Sequence, residues 1–258
     1  MVILSIARHE LKKYFKSPLG WSALAIVTAV ASYMFIEYLV LYVDKYQPQM
    51  HKYTNPPGVT DLVIVPTIAF ISEFYMWIIP IIAMNIFADE KKNGTLGLLQ
   101  SSPISAAEMV VGKYLGIVGF LLVILMLLFS MLILLRFDVE LDLGVLFSGI
   151  ISLFLLLSLW AAATMYFSTL TKTPIIAAII AFALIRFFWE LDIDVSSYPD
   201  TELNRAIGKV LYYASTPQRF GTMIKGIIRT SDISYFVIFT AAFILLSIRR
   251  FDAERLRY

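Results

Sequence analysis

Four ionisable residues lie inside long apolar stretches of this 258-residue chain, namely Glu37, Glu73, Arg186 and Glu190. An ionisable side chain at mid-bilayer costs about 2.5–3.5 kcal/mol on insertion scales and is a functional candidate for that reason. Two roles suit these four residues: a polar vestibule that a substrate crosses, or structural ion pairs such as Arg186 with Glu73 or Glu37. Glu190 lies one helical turn beyond Arg186, on the same helix face.

The residues that usually build nucleophilic, redox or zinc sites are almost absent. The chain has no Cys and two His, His9 and His51, which lie far apart in sequence. This composition excludes disulfides, thiol catalysis, iron–sulfur clusters and an ordinary zinc site. The sequence has no G-x-x-x-x-G-K-[ST] phosphate-binding loop, and its net charge of +2 gives no support for nucleic-acid binding. We therefore predict no active site and no cofactor in this chain, and an energy source supplied by a partner or an ion gradient.

Long apolar blocks must position these residues. The chain is 59% hydrophobic and 16% charged, and a membrane-spanning helix needs about 20 mostly apolar residues. Six blocks meet or approach this length, and we predict spans at about 19–43, 62–88, 109–135, 143–170, 174–190 and 233–248. The predicted fold is an all-α polytopic membrane protein whose six-span domain covers residues 19–258.

The distribution of Lys and Arg predicts the orientation of these spans. Twelve of these basic residues lie in or beside the short segments on the side of the N-terminus, and three (Lys45, Lys52 and Arg136) lie in the two short loops on the other side. Basic residues near span ends favour the cytoplasm. We therefore predict a multi-pass protein of the cytoplasmic (inner) membrane with both termini in the cytoplasm.

Residues 1–18 precede the first span and form an amphipathic pattern. One helical face carries Leu4, Ala7, Leu11 and Tyr14, and the opposite face carries Ser5, Arg8, Lys12 and Lys16. This pattern predicts an interfacial helix on the cytoplasmic leaflet, with its basic side chains toward the lipid headgroups. The alternative is a charged tail whose Lys and Arg residues only reflect the general excess of basic residues in cytoplasmic segments.

The segment 191–232 is long for a loop and precedes the last predicted span. It contains two possible amphipathic helices, at 201–213 and 217–229. We predict a short helical hairpin at the outer face that can dip back into the bilayer, where the backbone must be helical or buried in protein.

The loop 89–103, between the second and third predicted spans, has the most informative pattern. Asn93-Gly94 ends the incoming helix, and Ser105-x-x-Glu108 is a capping box that starts the next one. Between them lies a short segment that ends at Pro103. It contains Leu96, Leu98 and Leu99, and exposed leucines outside the membrane usually need a partner surface. The pattern predicts a short cytoplasmic helix that can transmit force to both neighbouring spans.

This loop resembles that of the permease subunits of ABC transporters of the second exporter type. Members of that family have an acidic residue, Gly-Thr, an apolar pair, a Pro and a downstream Gly-Lys, which correspond to Glu90, Gly94-Thr95, Leu98-Leu99, Pro103 and Gly112-Lys113. Gly97 stands where the family often has an acidic residue. The resemblance implies that the loop contains a coupling helix that docks into a cleft of an ATP-hydrolysing subunit.

A second set of residues is similar to the gliding-motility-type branch of the same family. These residues are Ser215–Phe220, Gly226–Ile228 and Asp232–Phe236. The resemblance implies two ATPase subunits that hold ATP and Mg, and a membrane pathway formed by two copies of this chain or by this chain with a paralogue. It favours export over import.

Three other functions remain open at this point. A gradient-driven secondary transporter would often show an internal repeat with broken spans, which we do not find in the sequence. An intramembrane enzyme would need a cluster of reactive side chains, and His9 and His51 both lie outside the predicted spans. A membrane-anchored mechanical or assembly subunit would move no substrate. The sequence does not indicate which substrate is transported.

Overall fold

A computed structural model describes residues 2–52, 57–94, 104–137, 139–191 and 214–255. Within these ranges almost every residue is helical and none belongs to a β-strand, which confirms the all-α prediction. The α-helices are α1 (Val2–Lys16), α2 (Pro18–Leu41), α3 (Val65–Ala83), α4 (Asn85–Lys92), α5 (Ala106–Ile133), α6 (Leu143–Leu170), α7 (Pro174–Glu190), α8 (Thr216–Met223) and α9 (Thr230–Arg255).

Local capping signals fix where several of these helices begin. Ser17 caps α2 by accepting a hydrogen bond from Leu19 N, and Pro18 occupies the first turn, where its missing N–H is no loss. Ser105 and Glu108 form the predicted capping box at the start of α5, since each side chain accepts a hydrogen bond from the other's backbone N–H. The loop 89–103 is therefore followed by a firmly started helix.

Among the described residues, five helical segments are long and apolar enough to cross a membrane: Pro18–Gln49, Thr60–Lys92, Ala106–Phe137, Leu143–Leu170 and Thr230–Glu254. The fifth predicted span, 174–190, corresponds to α7, which has 17 residues and a length of about 26 Å. Because the hydrocarbon core is about 30 Å thick, the crossing by α7 stays a prediction. The last span was predicted at 233–248. Helix α9 is longer than this apolar block at both ends, since the polar residues that flank the block are helical as well.

Both termini of the described chain lie at the same end of the bundle, here called the termini end. Glu254, near the end of α9, pairs with Lys91 at the end of α4. Lys113, in the first turns of α5, pairs with Glu10 of α1. The long helices therefore alternate in direction, as the predicted topology requires, and the end of α4 and the start of α5 lie at the termini end.

Helix α6 forms the centre of the bundle. In its most apolar stretch of 18 residues, 67% of the residues are buried. The helix packs against α3, α5, α7 and α9. Its run of small residues, Ala161–Ala163, is almost completely buried, which lets neighbouring helices approach closely. Pro18–Gln49 and Thr230–Glu254 have only 17% and 22% of the residues in the corresponding stretches buried. These two segments present broad apolar faces, as expected for helices in contact with lipid.

The short helix α8 packs beside α6 where α7 ends. Trp189, in the last turn of α7, contacts Trp160 of α6 and Phe220 of α8, with ring centroids 5.8 Å and 6.1 Å apart. After α8 the chain passes Val145 in the first turn of α6, where a Cβ on Gly226 would lie 3.1 Å from Val145 Cγ2. Val145 and Trp160 are about 22 Å apart along α6. Helices α7 and α8 therefore cover successive parts of α6.

This arrangement agrees with part of the predicted hairpin. The helix predicted at 217–229 is the shorter α8, Thr216–Met223, and it is followed by a turn in which Gly226 has φ of +89°. Only glycine adopts that left-handed conformation readily. The other predicted helix of the hairpin, 201–213, lies outside the described residues.

Candidate coupling site at the termini end

The structure describes the helices on either side of the predicted coupling segment. Four of the predicted coupling residues lie outside the described residues, namely Thr95, Leu98, Leu99 and Pro103. On the incoming side, α4 ends as Asn93 N donates to Asp89 O, and Gly94 follows with φ of +70°. The left-handed conformation of Gly94 ends the helix, as the Asn93-Gly94 pattern predicted.

Lys113 joins the two sides of this loop to the N-terminal helix. Its Nζ lies 2.6 Å from Glu10 Oε1 in α1 and 2.6 Å from Glu90 Oε1 in α4. It also donates a hydrogen bond of 3.1 Å to Ile86 O. The lysine side chain is only 3% exposed. We call Glu10, Glu90 and Lys113 the triad; it connects the helix before the loop, the helix after it and α1.

Two glycines of α5 allow α1 to come close enough for this triad. A Cβ on Gly112 would lie 2.8 Å from Ile6 Cβ, and a Cβ on Gly116 would lie 2.5 Å from Glu10 Cβ. Real Cβ atoms do not approach so closely, so the contact requires glycine at both positions. The Gly112-Lys113 pair therefore has two physical roles: the glycine admits α1 and the lysine pairs with it.

The buried face of α1 differs in part from the predicted one. Ala7 and Leu11 lie against Gly116 of α5, and Tyr14 stacks on Phe120 with ring centroids 5.0 Å apart. Leu4, however, is 71% exposed. Because Gly112 receives Ile6 and Gly116 receives Glu10, the contact with α5 is rotated away from Leu4. Helix α1 therefore packs on protein along a face that includes an acid.

Sequence reasoning missed Glu10 as a functional residue, although a signal was present. Glu10 is the only acidic residue of α1, and it stands one turn from both Ile6 and Tyr14 on the face that is otherwise apolar. An acid on a buried face needs a cationic partner. Burial, with a smaller contribution from the Glu10 carboxylate, raises the pKa of the Tyr14 hydroxyl well above its usual range, which keeps this neighbour neutral.

A second ion pair connects the same loop to the last helix. Lys91 Nζ lies 2.6 Å from Glu254 Oε1 of α9 and also donates to Thr169 O at the end of α6. Arg250 Nε lies 3.4 Å from the same Glu254 oxygen. The last turn of α4 is therefore attached to α6 and α9 as well as to α1 and α5.

Ser168 of α6 stabilises the break between α3 and α4. Its hydroxyl accepts hydrogen bonds from Phe87 N at 3.0 Å and Ala88 N at 2.9 Å, and it donates to Met84 O at 2.7 Å. These are backbone groups at a helix start that need partners outside the helix. One hydroxyl therefore fixes the position of α4, the helix that leads into the loop.

Comparison with known families shows what kind of protein contains this site. A family model described as ABC-2 family transporter protein matches residues 4–256, almost the whole chain. This chain belongs to the ABC-2 transporter family. The resemblance to ABC permeases of the second type is thus confirmed at the family level, and the protein is a multi-pass membrane permease component of an ABC transporter. No curated protein matches the sequence.

The second predicted motif of the permease forms an internal clamp. Arg219 of α8 lies 3.0 Å from Asp232 at the start of α9, and both side chains are buried. Thr216 and Tyr235 join their hydroxyls at 3.0 Å, and the Tyr235 hydroxyl also lies 3.0 Å from Ala214 O. The Arg219 guanidinium lies 4.7 Å from the centroid of the Tyr235 ring. The turn at Gly226 brings the two parts of the motif together, where they fix α8 against α9.

The four intramembrane charges of the permease do not form one cluster. Arg186 pairs with Glu190 one turn away, with side chains 49% and 59% exposed. In the part of the chain that the structure describes, Glu37 and Glu73 form no ion pair, and both are exposed. The described residues of a single copy therefore do not enclose a vestibule lined by these four side chains.

Glu73 and Arg186 nevertheless lie on the same surface. Trp77 of α3 and Phe182 of α7 are in contact, with ring centroids 4.2 Å apart and ring planes tilted by 31°. Glu73 precedes Trp77 by one turn, and Arg186 follows Phe182 by one turn. Because α3 and α7 run in opposite directions, both charged residues lie on the same side of the aromatic pair. We call this region, with Glu190, the α3–α7 face.

Proposed function

We propose that this permease is the membrane subunit of an ATP-driven exporter, in the gliding-motility-type branch of its family. A separate ATPase subunit would bind residues 89–103 from the cytoplasm. The observation that supports this proposal best is the triad, because Lys113 joins Glu90, in the last turn of α4 where the loop begins, to α5, after the loop, and to α1. A force applied to the loop would reach three helices at once.

The charge pairs give the route by which the loop would move the bundle. ATP binding would close two ATPase subunits and displace the loop attached to each permease. The displacement would pass through Glu90 and Lys113 into α5 and α1, and through Lys91 and Glu254 into α9. Such a displacement shifts the pathway from one arrangement of the helices to another only if the ATP-bound subunits stabilise one arrangement more than the other.

The α3–α7 face supports a second copy of this chain, or a paralogue, as the other half of the pathway. Glu73, Arg186 and Glu190 are exposed on a single copy, and all three lie in predicted spans. Charged side chains in the membrane almost always face protein or water rather than lipid. A second permease subunit would cover them or enclose water around them. ATP and Mg would bind to the two ATPase subunits, and this chain would hold neither.

The experiment is to purify the permease in detergent and ask whether an ATP-hydrolysing chain copurifies. Gly94→Asp or Leu98→Asp is expected to abolish the ATPase activity that the permease stimulates, because each change places a charge in the segment that docks. Lys172→Glu is the matched control, since it introduces an acidic side chain at an exposed residue in the short connection between α6 and α7, at the termini end. It is expected to leave the stimulated activity within about twofold of the unmodified complex, because a lone surface charge contributes little.

Two results would reject the proposal. One is normal stimulation by Gly94→Asp and Leu98→Asp in complexes that are fully folded by circular dichroism. The other is a purified permease without any ATPase, which would return the choice to a gradient-driven transporter or an assembly subunit.

A further inference from the structure

We propose that α1 and the start of α2 form a binding site for the headgroup of an anionic phospholipid. The site is a groove of about 370 Å³ lined by His9, Lys12, Lys13, Lys16 and Ser17. We call it the basic groove. It includes Lys13, which lies beside the polar face predicted from sequence, and it depends on the membrane location of the chain rather than on the proposed ATPase.

The basic groove has unbalanced positive charge. In the described part of the chain, Lys12, Lys13 and Lys16 have no carboxylate within 4.0 Å, and each lysine is exposed. The nearby acids, Glu10 and Glu90, both bind Lys113, and Glu90 also interacts electrostatically with Lys13, so the uncompensated charge of the groove is that of Lys12 and Lys16. Three lysines within two helical turns therefore face one cavity with no acid in its lining, which favours an anionic ligand.

The position of the groove favours a lipid as the source of that anion. Ser17 is the cap of α2, whose first residue, Pro18, begins the first candidate membrane span. One turn into that span, Trp21 is 60% exposed, and its Nε1 donates a hydrogen bond of 2.8 Å to Phe15 O. An exposed, half-polar tryptophan at the start of a span marks the level of the headgroups.

The start of α2 adds a second electrostatic attraction. The N-terminus of a helix carries partial positive charge and attracts phosphate. Helix α2 has 24 residues. Its N-terminal cap, Ser17, lines the groove together with the three lysines. A phosphodiester held there would contact both α1 and α2, so its acyl chains could lie along the exposed apolar face of α2. A soluble anion lacks this second part.

The test uses the full-length permease in a neutral detergent with added phosphatidylglycerol or phosphatidylcholine of the same acyl chains. Native mass spectrometry counts the bound lipids. The variant Lys12→Gln/Lys13→Gln/Lys16→Gln removes the groove charges. Lys45→Gln/Lys172→Gln/Lys225→Gln is the matched control, because it removes three exposed lysines near other span ends. Circular dichroism and size-exclusion chromatography verify that all variants are folded.

We expect the unmodified permease to retain phosphatidylglycerol in preference to phosphatidylcholine. The groove variant should bind phosphatidylglycerol at least about tenfold more weakly, since each basic residue near an anionic membrane surface contributes about a fivefold gain. The control variant should bind it like the unmodified protein. Glycerol phosphate, added at the same concentration as the lipid, should not displace it.

Each other outcome overturns the proposal. Equal loss in both triple variants would mean that basic residues attract lipid without a specific site. Displacement by glycerol phosphate would mean that the groove takes a soluble phosphate ester. Normal lipid binding by the groove variant would reject the site, and if that variant also failed to copurify an ATPase, the groove would be a protein-docking surface.

Discussion

Charged residues occupy two regions of this permease with opposite surroundings. In the triad, Lys113 is 3% exposed and contacts two carboxylates, each at 2.6 Å. On the α3–α7 face, Arg186 is 49% exposed, and its one ion pair within the described part of the chain is with Glu190 on its own helix. The first region is complete within one chain, and the second is open at its surface.

The difference indicates what each region is for. A buried charge without its partner is strongly destabilising, so the triad holds α1, α4 and α5 in one arrangement. An exposed ion pair contributes little to the stability of one chain. A charge kept at membrane depth on an open surface is instead expected to serve an interface or a pathway. The four residues first noted in the sequence thus point outward from this chain, whereas the triad points inward.

The largest expected effect comes from breaking the triad. Lys113→Met would leave the buried Glu10 and the half-buried Glu90 without their shared cation, and we expect a loss of about 3–5 kcal/mol in the free energy of unfolding. Denaturant unfolding in detergent, followed by circular dichroism, would measure it.

A control separates charge from packing in this result. The neutral triple variant Glu10→Gln/Glu90→Gln/Lys113→Met removes all three charges and should recover more than half of the lost stability. A triple variant as unstable as Lys113→Met would contradict the electrostatic explanation.

The fold could largely be predicted because apolar segments of about 20 residues or more form helices that span the membrane. The predicted block 62–88 lies within Thr60–Lys92, and the predicted block 143–170 is α6 itself. The ends were harder, since polar residues continue α9 beyond its apolar block. The end-to-end arrangement of α7 and α8 depends on Trp189 meeting Trp160 and Phe220. Such contacts between distant segments leave no periodic signal in the sequence.

A medium effect is expected from the glycines that admit α1. Gly116→Ala would place a Cβ 2.5 Å from Glu10 Cβ and 3.1 Å from Ala7 O. We expect it to destabilise the protein by about 1–3 kcal/mol, as overpacking does, and to increase proteolysis of α1.

Gly119→Ala is the matched control on the same helix. Its Cβ would lie 3.5 Å from Leu11 Cδ1, an ordinary contact distance. Because alanine favours a helix over glycine by up to about 1 kcal/mol, this variant should be neutral or slightly more stable. Equal destabilisation by both alanines would show that α1 does not depend on close approach at Gly116.

The candidate site was predicted only in part. The loop signals identified Gly94 and the capping box, and the family resemblance singled out Glu90 and Gly112-Lys113. The structure brings Glu90 and Lys113 together but adds Glu10, whose partner lies 103 positions away in the sequence. A pairing over that distance is decided by helix packing, which a single sequence does not encode locally. Whether Thr95, Leu98, Leu99 and Pro103 dock on an ATPase stays a prediction.

The smallest effect on the single chain, and the most informative about its surface, is expected at Glu73 and Arg186. A double-mutant cycle with Glu73→Gln and Arg186→Gln should give a coupling below about 0.5 kcal/mol in detergent, because both side chains are exposed. In lipid vesicles the same double variant should lower the fraction of dimers counted by single-molecule photobleaching.

Glu140→Gln/Lys225→Gln, which neutralises two exposed charges outside the spans, should leave that fraction unchanged. Strong coupling in the single chain would make the α3–α7 face a structural ion pair like the triad. A small coupling with an unchanged dimer fraction would mean that these charges face water rather than a second permease.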